Sequence, residues 1–124
     1  MKLFAVSLLS AAAIGLATAG PSGKAMAQAA PPAFAVCAAC HKVSADGANS
    51  VGPNLRGIVG KKAASKPKYA YSPALKKSVL VWNPENLDRW LAGPTKLVPG
   101  SKMVTAVPNA ANRKAIIAYL ATLK

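Results

Sequence analysis

Cys37-Ala38-Ala39-Cys40-His41 is the stretch that decides how the remaining residues are read. Two thiols three positions apart, followed at once by an imidazole, form the C-x-x-C-H pattern of covalent c-type haem attachment. On a helix, at about 100° per residue, Cys37, Cys40 and His41 share one face. Each thiol can then add to one vinyl group of the haem while His41 reaches the iron. The motif uses both cysteines and the single histidine of the chain. Three other readings are weaker. A disulfide closing so small a loop restrains the unfolded chain little. A thioredoxin-like dithiol needs a βαβ context, and the long alternating strand runs for one are missing. A closed zinc site wants four ligands where Cys and His supply three.

The 124 residues bound one small domain. A domain this size buries a modest core by itself, and a covalently held haem would fill its centre. The apolar content of 52% is swollen by the first thirty residues. Met1 to Ala27 has the layout of a secretory signal peptide: Lys2, an apolar run from Leu3 to Ala19, and the small-x-small site Ala25-Met26-Ala27. Cleavage after Ala27 is expected, leaving 28–124 as the folded domain in the periplasm. Ala17-Thr18-Ala19 is a second candidate site, and an uncleaved anchor is the competing reading. Removing residues 1–27 takes Lys2 and Lys24 from the 16 basic residues and none from the 3 acidic ones, which leaves +11. A chain so basic selects anionic docking surfaces.

Pro31-Pro32 confines the first helix to about Ala33–Lys42. Asp46-Gly47-Ala48-Asn49 is a turn cluster, and Lys61 to Lys77 reads as a lysine-rich loop interrupted by Pro67 and Pro73. The second helix is well marked: Asn83 as N-cap, Pro84 at the first position, and Glu85 and Asp88 near the positive end of the dipole. Trp82 and Leu87 have the spacing of a hydrophobic staple; Leu87, Trp90 and Leu91 form the inward stripe, and Gly93-Pro94 ends the helix. Val98-Pro99-Gly100-Ser101-Lys102-Met103 follows on a loop, where a methionine is off any helical core position. Its thioether is a soft ligand suited to haem iron. Asn109 caps a final helix running to about Leu123, with Ile116, Ile117 and Leu120 inward and Arg113 and Lys114 outward.

Gly52-Pro53-Asn54-Leu55-Arg56-Gly57, Tyr69-Ala70-Tyr71-Ser72 and Pro99-Gly100-Ser101-Lys102-Met103, together with the haem motif, make the chain resemble a class I c-type cytochrome. The similarity is to mitochondrial cytochrome c and related soluble bacterial cytochromes, over about Phe34 to Leu123. It implies an all-α, small monohaem fold with three main helices and long loops, and the first helix crossing the last. It also implies one haem c linked through Cys37 and Cys40, with His41 and Met103 as axial metal ligands. The Pro53 carbonyl would accept the other ring N–H of His41. Arg56, Tyr71, Ser72, Trp82 and Ser101 would approach the haem propionates, which need donors where they are buried. Two departures bear on the potential: Trp90 stands where relatives carry a tyrosine, and Thr105 replaces a phenylalanine at the haem edge.

The function that follows is a soluble one-electron carrier, a monomer and not an enzyme, with no small-molecule substrate. It would dock acidic surfaces of membrane redox complexes, with a quinol–cytochrome c reductase type of donor and a terminal oxidase or reaction-centre type of acceptor. Lys42, Lys61, Lys62, Lys66, Lys68, Lys76, Lys77, Lys96 and Lys102 are the pool for such docking. A peroxidase-like enzyme needs an open iron position and an acid–base group, whereas the histidine is committed and acids are scarce. The charge alone suggests nucleic acid, but no recognition motif accompanies it, so no specific nucleic-acid binding is expected.

Overall fold

Proline and cap chemistry sets nearly every helix start. The computed structural model describes Gly20 and residues 28–124. The expected leader, its cleavage after Ala27 and the alternative anchor fall outside the described residues, Gly20 aside. A 3-10 turn over Pro32–Phe34 runs into α1, Ala35–Ala38. The expected helix Ala33–Lys42 is thus cut to one turn at each pitch. Past Ala38 the backbone bonds tighten and end, with Cys40 and His41 both donating N–H to the Cys37 carbonyl at 3.0 and 2.9 Å.

Pro73–Lys77 forms α2, within the segment read as loop. Ser72 caps it by accepting from the Leu75 N–H, and Pro73 sits at the first position. α3, Pro84–Ala92, has the anticipated cap, Asn83 accepting from the Asn86 N–H at 2.8 Å. Gly93 ends α3, but Pro94 does not begin a loop: it opens the short α4, Pro94–Leu97. α5, Ala110–Thr122, is capped by Asn109. Among the described residues there is no strand. One antiparallel bridge joins Lys62 and Val81, with the Ala63 and Trp82 N–H groups donating to the Leu80 and Lys61 carbonyls. No helix among those described is long and apolar enough to cross a membrane.

α5 packs on α3 and on the 3-10 turn. The crossing expected of the first helix is made by that turn: Phe34 meets Tyr119 edge-on, ring centroids 4.9 Å apart. Ile116, completely buried, and Leu120 line the core from α5; Leu87, Trp90 and Leu91 line it from α3. Arg113 departs from its expected outward place. Its side chain is 14% exposed and pairs with Asp88 of α3 at 2.8 Å. It also donates to the Val107 and Pro108 carbonyls, so one guanidinium fork pins α5 to α3 and to the loop before its own cap.

Candidate haem site

Helix ends and extended loops bring the predicted chemistry to one apolar cavity. Cys37 and His41 enter from the end of α1, Met103 and Ser101 from the loop after α4, Ser72 from the cap of α2, and Trp82 from the approach to α3. Leu55, Ile58, Leu75, Leu87, Trp90, Leu91, Ile116 and Leu120 complete its apolar wall. An outer cavity shares Cys37, His41, Pro53 and Met103 with this one and adds Cys40, Val36, Val51, Val104 and Thr105 toward solvent. The two form one slot, deep and apolar at one end and open at the other.

His41 is held from two sides. Its Nδ1 lies 2.7 Å from the Pro53 carbonyl oxygen. A carbonyl can only accept, so Nδ1 carries the proton and Nε2 keeps its lone pair. Gly52 packs flat on the ring: a Cβ there would sit 2.6 Å from Nδ1 and 2.9 Å from Nε2. The Gly52 N–H meanwhile donates to the Cys40 carbonyl at 2.7 Å. The reason for glycine in Gly52-Pro53 is therefore close approach, not backbone freedom.

Cys37 and Cys40 are both partly buried and form no disulfide. Burial pushes the Cys37 thiol above its ordinary value, which keeps it protonated and uncharged at neutral pH.

The polar residues divide by where their protons go. The Tyr71 hydroxyl accepts from the Lys66 N–H at 3.2 Å, and burial raises its pKa, so it keeps a proton to donate. Ser72, 3% exposed, accepts from the Leu75 N–H and likewise keeps its hydroxyl proton. Ser101 spends its proton on the Met103 carbonyl, 3.2 Å away, which steadies the methionine loop. Tyr69 gives its proton to the Val51 carbonyl. Trp82 is buried with its ring centroid 5.2 Å from that of Trp90, and both line the deep end.

Arg56 does not join this group. It is absent from the cavity wall, and its Nε and Nη1 donate to the Val43 and Lys124 carbonyls, each at 2.9 Å. The side chain reaches backward along the haem-motif segment and ties two backbone segments together. Asn54, which sequence reading passed over, is completely buried. Its side chain donates to the Ser44 and Ala48 carbonyls and accepts from the Arg56 N–H. A buried asparagine two residues after Gly52, beside a turn cluster rich in carbonyls, was the available signal.

The donor set fits a covalent haem. Two cysteines, an oriented imidazole and a methionine line a slot whose walls are mostly apolar, with a few hydroxyls among them, and the slot suits a large flat apolar filling. Such a fold and site define a small haem protein of the electron-transfer class. The family model for cytochrome c matches residues 22–124, and the chain belongs to that family. It is 46% identical over 95 residues to cytochrome c2 iso-2 of Magnetospirillum fulvum, covering 76% of this chain and 98% of that protein. With cytochrome c2 of Rhodomicrobium vannielii it shares 37% over 123 residues, covering 98% and 97%. It also matches the "Cytochrome c-type cyt cy" of Rhodobacter capsulatus, 48% identical over 88 residues, but spans only 43% of that protein's length. Among solved structures it superposes on cytochrome cH from Methylobacterium extorquens with a TM-score of 0.68 and 49% identity, covering 73% of this chain and 91% of the other. Cytochrome c2 from Rhodospirillum centenum gives 0.70 and 30%, covering 74% and 92%. The fold is accordingly the small all-α cytochrome c fold, the chain binds one covalent haem c at its C-x-x-C-H cysteines, and its role is electron transport.

Proposed function

We propose that this cytochrome c ferries single electrons between membrane-bound redox complexes, with His41 and Met103 as the two axial ligands. The observation that supports this most is the joint presence of the His41 ring and the Met103 thioether on the wall that also carries Cys37, from segments 62 residues apart. When bound, haem iron supplies a one-electron couple, and Met/His ligation raises its potential. The protein's own residues do the rest. Pro53 fixes the imidazole, Ser101 holds the methionine loop, and the apolar wall excludes water. Tyr71 and Ser72 have protons free to meet the propionates, and Trp82 lines the same cavity. With both axial positions taken by protein, outer-sphere transfer is what remains. Asp and Glu do not line either part of the slot among the described residues, so a peroxidase-like reaction finds no carboxylate there.

The docking surface is basic. Lys42, Lys61, Lys62, Lys68, Lys76, Lys77, Lys96 and Lys102 are exposed, Lys102 also donating to the Ala70 carbonyl, whereas Lys66 is half-buried and donates to the Arg56 carbonyl. The first group would steer the molecule onto acidic patches of a quinol–cytochrome c reductase type of donor and a terminal oxidase or reaction-centre type of acceptor. The chain acts as a periplasmic monomer after loss of residues 1–27. The test is an optical spectrum of periplasm-expressed protein with and without Met103→Ala. The parent should show sulfur-ligated, low-spin haem that binds carbon monoxide poorly when reduced, and the variant should bind it readily. Fast binding by the parent overturns the ligation.

A further inference from the structure

Arg56 stands at a junction that the electron-transfer reading leaves unused. Its Nε donates to the carbonyl of Val43, two residues past His41, and its Nη1 to the carbonyl of Lys124. Its own N–H donates to the Asn54 side chain at 2.8 Å, its carbonyl accepts from the Lys66 ammonium, and the next N–H, that of Gly57, donates to the Leu123 carbonyl at 2.8 Å. A parallel tie runs from the Leu55 N–H to the Lys42 carbonyl at 2.9 Å. These two ties pair residues 42–43 with 55–56, next to the His41–Pro53 hydrogen bond that pairs 41 with 53.

We propose that Arg56 is a positioning residue for the axial imidazole: its fork holds the Pro53 carbonyl against the His41 Nδ1 proton, and so sets how strongly the ring donates to the iron. The physical reason is geometric. A planar guanidinium meets two carbonyls lying in different directions at once, and a lysine ammonium on a flexible stem does not reproduce that fork. A strong bond at Nδ1 raises the basicity of the ligating imidazole. If the pairing of 42–43 with 55–56 loosens, that bond weakens, and the poorer donor favours reduced iron. The inference rests on His41 being the axial nitrogen.

The test compares Arg56→Gln and Arg56→Lys in the haem-loaded protein, reading the reduction potential and the hydrogen exchange of the His41 Nδ1 proton. Positioning predicts that both variants raise the potential, and that both speed the exchange roughly tenfold, the ratio matching loss of one ordinary hydrogen bond. A charge effect predicts the opposite sign: removing a cation favours oxidised iron, so Arg56→Gln lowers the potential and Arg56→Lys leaves it alone. That outcome overturns the proposal. So does a loss of stability in both variants with potential and exchange unchanged, which is what a merely structural tie would give. Where Arg56→Gln does not fold, Arg56→Lys alone decides through the same two readings. A parent protein whose spectrum lacks nitrogen ligation fails the earlier ligation reading instead, before any variant is made.

Discussion

Gly52→Ala should damage this protein far more than a single methyl suggests. The added Cβ would fall 2.6 Å from His41 Nδ1 and 2.9 Å from Nε2, well inside van der Waals contact. Neither neighbour can yield cheaply: Gly52 is fixed by its N–H bond to the Cys40 carbonyl and by Pro53 behind it. The ring must swing away, and the 2.7 Å bond to Pro53 goes with it. Overpacking of this kind costs about 1–3 kcal/mol, and the lost hydrogen bond adds about 1 kcal/mol. For a domain of this size the sum corresponds to a melting temperature lower by roughly 10–30 °C. Gly57→Ala is the control. Its φ of +68° is strained for alanine but nothing lies within 4 Å of a Cβ there, so about 1–2 kcal/mol of left-handed strain is the whole effect. Thermal melts followed by circular dichroism, with optical spectra of the axial ligands, measure both. Only Gly52→Ala should alter the spectrum. The reasoning fails if Gly52→Ala melts with the parent and keeps its ligand signature.

Three further outcomes follow from the packing and the charges. Ile116→Ala, at a completely buried site on the cavity wall, should cost about 2–5 kcal/mol in urea unfolding; a loss under 1 kcal/mol would mean that the wall collapses around the gap. Asn109→Ala removes the acceptor for the Asn112 N–H, 3.0 Å away, and should cost about 0.5–2 kcal/mol, while Asn109→Ser should restore most of it. The Ser44 hydroxyl, and after it the Ala48 N–H, hold the Asp46 carboxyl below the ordinary carboxylate range. A lowered folded value means that its small contribution is complete above about pH 4 and is lost as pH falls through the lower folded value. An NMR titration that put Asp46 at or above the ordinary range would contradict this.

Where a residue's role follows from its own neighbours in sequence, reading the chain reached it. Cys37, Cys40 and His41 are a local motif, and Asn83-Pro84 and Asn109 obey capping rules that involve only the next three residues. Ser72-Pro73 carries the same signature as Asn83-Pro84. The lysines and prolines around it suggest a loop and mask the cap. Pro94, following glycine, reads as a stop, although a proline that ends one helix is equally suited to the first position of another.

The amino-acid order by itself determined the chemistry: one covalent attachment motif, one thioether on a loop, an all-α chain and a strongly basic surface. Those depend on residue type and spacing, which no later folding event changes. Only the tertiary structure decided the partners of the long side chains. Arg56 turned from the cavity to carbonyls 13 and 68 residues away, Arg113 turned inward to Asp88, and Ser101 gave its proton to Met103. A guanidinium or hydroxyl goes to whichever acceptor the closed loops bring within about 3 Å, and that neighbourhood exists only once distant segments have packed.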